Sequence, residues 1–205
     1  MRADRSGGLR NAIVLSLVSL GWSGAVGLVA VLAATTSGAL SLLGFGITAL
    51  IDASASAALT WRFQSEARDP RRAEQVERRA ELAIGIALTA LALYLLATSA
   101  RALLTGEHPG VDPVGVGLLA TSLVVQPVLG ITKRRVARSI NSAALAADGA
   151  LSLIGGGLAG VGLVGLIAAT LYDLTWADAV AASIVALVAL REGAESLRLS
   201  YRRGR

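Results

Sequence analysis

Between Arg10 and Arg62 the chain carries one charged side chain, Asp52. That stretch constrains the fold more than any other feature. A bilayer core takes roughly 20 apolar residues of helix, so the run is long enough for two crossings. The turn chemistry of Thr35-Thr36-Ser37-Gly38 divides them. Further uncharged runs from Leu82, from Pro113 and from Gly149 extend the pattern. The spacing predicts a single all-α transmembrane domain over 1–205, with helices at about 10–34, 39–61, 80–104, 113–132, 139–171 and 177–197. Charged residues make up 16% of the chain, against about 25% for a soluble domain. The first segment exceeds a signal-peptide core and runs straight into a second span, so it reads as a membrane helix.

The basic residues set the expected orientation. Of the 19, all but Arg101 fall in four groups: the N-terminus, the 2–3 connection, the 4–5 connection from Lys133 to Arg138, and the C-terminal end. The positive-inside rule then places both termini in the cytoplasm of a six-helix inner-membrane protein. The net charge of +5 reads as membrane-surface charge, with the lipid bilayer and not nucleic acid as partner. The cluster Lys133-Arg134-Arg135 is read either as a solvated face or as an anionic-lipid site. There is no cysteine, and His108 is the one histidine. Thiolate and histidine-cluster metal sites are excluded, and no nucleophile–base constellation supports an enzyme.

The polar residues inside the spans carry the functional signal. Asp52 lies roughly 14 Å along its helix from Trp61. A carboxylate at that depth costs about 3 kcal/mol on insertion scales, so it is either a functional group or a hydrogen-bonded structural one. Thr48 shares its face at i, i+4, and Asp148 and Ser152 repeat the spacing on the fifth helix. The two faces are expected to converge on one polar spot whose oxygen donors suit a hard divalent cation. Asp178 is expected to serve the N-terminus of its own helix. Glu192 and Glu195 are expected to pair with Arg191 and Arg198, and Glu107, His108 and Asp112 could form only a weak outer metal port, since a lone loop histidine is usually no ligand. The glycines of helix 5, Gly156 and Gly160 among them, point to close helix packing or to a helix that moves. Leu42, Gly46, Leu50 and Ile51 recur as Leu145, Gly149, Leu153 and Ile154, an internal echo.

Three stretches together resemble the transmembrane domain of cation diffusion facilitators: Gly44-Phe45-Gly46 through Asp52 to Trp61-Arg62, Ser142 to Gly149, and Trp176-Ala177-Asp178 running to Leu197. The resemblance implies proton-coupled efflux of a divalent cation such as Zn, Mn, Co or Fe, with no tightly bound cofactor, in a homodimer. It is closest to short bacterial members without a soluble C-terminal domain. The family's ligand pairs fall on Thr48 and Asp52 and on Leu151 and Gly155, and Asp148 matches a further acidic position. Leu151 and Gly155 supply no ligand, so a non-transporting scaffold or partner subunit of the same fold is the alternative expectation. The metal-site residues expected are Asp52, Asp148, Thr48 and Ser152.

Overall fold

The computed structural model describes residues 2–65, 70–106, 113–140, 142–174 and 176–202. They form six helices and, among the described residues, no strand: α1 (Arg2–Ser37), α2 (Leu40–Ser65), α3 (Pro70–Thr105), α4 (Pro113–Ile140), α5 (Ala143–Leu171) and α6 (Trp176–Arg202). Among the described residues, five stretches are long and apolar enough to cross a membrane: Arg10–Ser37, Leu40–Trp61, Leu82–Thr105, Pro113–Ile140 and Leu145–Leu171. The sixth helix packs on α3, α5 and α2.

The bundle turns the soluble pattern inside out. Leu28, Leu32, Leu93, Val164 and Leu171 are exposed, and Leu104 is 88% exposed. Ser16, Ser19, Ser23, Ser56, Ser122 and Lys133 are buried. Lipid is as apolar as leucine, so burying leucine gives little drive to helix association. Close backbone packing and interhelical hydrogen bonds hold such a bundle instead. Several hydroxyls inside the helices bond their own backbone, as Thr48 Oγ1 does to the Gly44 carbonyl at 2.8 Å and Thr89 Oγ1 to that of Gly85 at 2.8 Å.

Facing glycines let backbones of neighbouring helices come close. A Cβ on Gly27 would lie 2.8 Å from the Gly46 carbonyl oxygen, and one on Gly130 would lie 2.7 Å from that of Gly149. Gly85 and Gly193 face each other's carbonyls between α3 and α6. The first two contacts give the internal echo a structural meaning. The shift that carries Gly46 onto Gly149 also carries Gly27 onto Gly130 and Ser19 onto Ser122. It superimposes α1–α3 on α4–α6 in chain order, and the pairs α1·α2 and α4·α5 are both among the most intimate in the fold.

Three expectations are corrected. The fourth helix does not stop near residue 132: α4 continues to Ile140, and α5 begins at Ala143, not near Ser139. Nothing from Lys133 to Arg138 breaks a helix, since lysine and arginine are good helix formers. The stop comes at Ser142, whose Oγ accepts the Leu145 N–H at 3.3 Å. Lys133 therefore stands on a helix inside the bundle, not in a surface connection. Asp178 serves a helix other than its own. Its carboxylate accepts the backbone N–H groups of Leu40 at 2.8 Å and Ser41 at 3.3 Å, and the Ser41 hydroxyl. It thus caps α2 from the first turn of α6, where the orphan N–H groups and the positive end of the helix dipole favour an anion. The expected pairs of Glu192 and Glu195 with arginine are not formed among the described residues. Glu107, His108 and Asp112 lie outside those residues, as do the side chains of the 2–3 connection.

Asp178→Ala strands the α2 N-terminal donors in a buried setting and is expected to cost about 1–3 kcal/mol. Asp178→Asn, which keeps one acceptor oxygen, should cost less. Thermal unfolding of the detergent-solubilised protein measures both.

Candidate functional site

The interior holds two polar centres, one built on an ion pair and one on a cavity. Lys133 is completely buried, and its Nζ lies 2.6 Å from Asp148 Oδ2, with Asp148 4% exposed. The close approach of Gly130 to Gly149 brings the two helices near enough for this, since a Cβ on Gly149 would lie 3.1 Å from that of Lys133. Lys133 Nζ also donates to Ser19 Oγ at 2.7 Å and Ser152 Oγ at 3.1 Å. Ser56 Oγ, 3.4 Å from Nζ, donates to Asp148 Oδ1 at 3.0 Å. One ammonium and one carboxylate thereby tie α1, α2, α4 and α5 together.

The second centre is Asp52, which is 7% exposed. Its Oδ2 accepts from Ser23 Oγ at 2.7 Å, while Oδ1 is buried without a partner. Asp52 lines a cavity of about 30 Å³, room for one or two water-sized occupants. Thr48, Leu151 and Gly155 line it as well. All four positions onto which the family's ligands map therefore meet in one place. Gln126 and Glu192 complete its polar lining. Gln126 is 1% exposed, and neither its Oε1 nor its Nε2 has a partner.

The four expected site residues are thus distributed over both centres. Asp52 and Thr48 face the cavity. Asp148 and Ser152 belong to the lysine network and are not part of the cavity lining. The centres remain in electrostatic communication, because the charges of Lys133 and Asp148 both act on Asp52. Among the described residues no three His, Cys, Asp or Glu side chains gather at one point. A metal ion here would draw on Asp52, on neutral oxygens and on Glu192.

Sequence reasoning missed Lys133 and Gln126, yet a signal for both was available. The buried face of α4 runs through Leu119, Ser122, Gln126, Leu129, Lys133 and Ala137. That is helical periodicity, and it separates Lys133 from its neighbours Arg134 and Arg135, which are exposed.

Apolar helices turned outward, charge turned inward and a mid-bundle cavity define a multi-pass membrane protein of the transport class. The chain matches the cation efflux transmembrane domain family over residues 11–203 and belongs to it. No curated protein matches the chain.

Breaking the ion pair from one side leaves an uncompensated buried charge. Lys133→Met is therefore expected to lower stability by about 3–5 kcal/mol. Lys133→Met combined with Asp148→Leu should recover most of that loss, because no lone charge remains. A double-mutant cycle on thermal unfolding in detergent checks the recovery.

Proposed function

We propose that the protein exports a divalent metal cation in exchange for protons, with Asp52 as the group that takes each in turn. The observation that carries this reading is the unpartnered Oδ1 of Asp52, buried and facing a cavity. A carboxylate oxygen without a protein partner inside an apolar bundle is costly, and both a proton and a metal ion relieve that cost at the same atom. Competition for one oxygen is the coupling. Thr48 supplies a neutral oxygen beside it. Asp148 and Ser152 act through Lys133, whose charge sets the electrostatic environment in which Asp52 exchanges its ligand. Two three-helix halves around a mid-bundle cavity suit alternating access by rocking of one half on the other.

The basic residues favour an inner-membrane orientation with both termini in the cytoplasm. A homodimer would form through transmembrane faces such as the apolar surface of α1 or α4. One specific observation supports a second reading, a scaffold that no longer transports: Leu151 and Gly155 offer no ligand, and Asp148 is already neutralised by Lys133.

Proteoliposomes with an imposed pH gradient and an entrapped metal-sensitive dye separate the two. The expected outcome is uptake of at least one of Mn²⁺, Zn²⁺, Co²⁺ and Fe²⁺ by the wild type, falling to background in Asp52→Asn. If the wild type moves none of them, the scaffold reading stands. If Asp52→Asn transports normally, the site lies elsewhere.

A further inference from the structure

We propose that Gln126 is a ligand of the transported cation, occupying the space that Gly155 leaves open, so that the chain binds its cargo through an all-oxygen set of Asp52, Thr48 and Gln126. The inference rests on the cavity reading above and deepens it.

The first ground is the state of the side chain. A fully buried glutamine with both amide atoms unpartnered is rare, because stranding a polar group costs about 1–3 kcal/mol. Both amide atoms of Gln126 are in that state, and the residue lines the cavity that Asp52 lines. The second ground is its fit to Gly155. A Cβ at position 155 would collide with Gln126 Oε1 and lie 2.9 Å from its Cδ. Any other residue at 155 would force the amide to shift from this place. The glycine is therefore the complement of the glutamine, not merely an absent ligand.

The third ground is the internal repeat. The shift that carries Gly46 onto Gly149 carries Ser23 onto Gln126 and Asp52 onto Gly155. In the first half a short serine on α1 hydrogen-bonds a carboxylate on α2. In the second half the residue on α4 is long and the one on α5 has no side chain. The polar atoms of the second half have moved from α5 to α4, and they still reach the cavity.

The donor set fixes the class of cargo. A carboxylate, a hydroxyl and an amide carbonyl are hard oxygen donors, the kind used for Mg²⁺ and Mn²⁺, and imidazole and thiolate are missing from the lining. A cavity with room for one or two waters lets such an ion keep part of its hydration shell. Glu192 lines the same cavity from α6 and adds a second carboxylate to it.

Titration calorimetry of the detergent-solubilised full chain with Mn²⁺ tests the assignment, each variant first being checked for monodispersity by gel filtration. Gln126→Ala is expected to bind Mn²⁺ at least roughly tenfold more weakly than the wild type. Gly155→Ala should weaken binding similarly by displacing the amide. Gln126→Glu, which keeps the oxygen and adds charge, should bind as tightly as the wild type or tighter. If Gln126→Ala and Gly155→Ala both bind like the wild type while Asp52→Asn does not bind, the glutamine assignment is overturned and the cavity reading survives. If Asp52→Asn also binds like the wild type, both fall; if the wild type takes up no Mn²⁺, the all-oxygen assignment falls and the cavity reading is decided by the four-metal transport assay. Should Gln126→Ala fail to fold, Gly155→Ala and Gln126→Glu decide the matter: unchanged binding in the first or lost binding in the second overturns the assignment.

Discussion

A charge cannot be left alone in hydrocarbon, and this bundle is organised around meeting that demand. Lys133 and Asp148 neutralise each other at 2.6 Å, and serines from α1, α2 and α5 satisfy the ammonium. The pair contributes little net stability compared with an apolar pair of the same shape, because two ions had to be desolvated. What it fixes is register. A slide or rotation of α4 against α5 would separate two charges in a medium where separation is costly. The facing glycines Gly130 and Gly149 make the approach possible, and the ion pair specifies which approach is made.

The equivalent place in the first half is held differently. Gly27 meets Gly46 as Gly130 meets Gly149, but the shift that relates the halves puts Ala30 where Lys133 stands and Phe45 where Asp148 stands. The first half packs apolar residues there, with Ala30 and Phe45 both in the buried core. About two turns further along the helix the bias reverses: the first half has Asp52, and the second has Gly155. The backbone scaffold is thus close to symmetric, while its ionisable groups are not. A carrier needs that combination. Similar halves allow two packings of comparable energy, and unlike side chains let a proton or a cation bias the balance between them.

Much of the architecture was legible from the chain because hydropathy and charge act locally. An uncharged run must find lipid or a core, and the Thr35–Gly38 break must turn. Asp52 stood out for the same reason, as one carboxylate in a long apolar stretch. Lys133 did not, because it is followed by Arg134 and Arg135, and a cluster of three cations reads as surface. Their roles differ by direction around the helix, which only the periodicity of Ser122, Gln126 and Lys133 encodes. Asp178 was expected to favour its own helix, since that preference is local. Its true partner, the start of α2, is brought beside it by tertiary packing alone. The helix 4–5 boundary was misplaced because a basic segment compatible with helix gives no stop signal before Ser142.

The charge arithmetic of the interior bears on how an exchanger of this form would couple. Asp52, Asp148 and Lys133 together carry one net negative charge when all are ionised. Lys133 already offsets the charge of Asp148, so in the proposed exchange Asp52 would be the one of the two carboxylates left to trade a proton for a metal ion. A divalent ion arriving there overcompensates the site by one positive charge, and the nearby ammonium of Lys133 makes that excess harder to hold. Two resolutions exist within the chain. The second cavity carboxylate, Glu192, can share the ion, or Lys133 can withdraw from Asp148 and let that carboxylate turn inward. The second requires breaking contacts on four helices at once, so cation occupancy and bundle rearrangement become one event. Loading the site would then be what moves the helices, which is the physical content of coupling in a carrier.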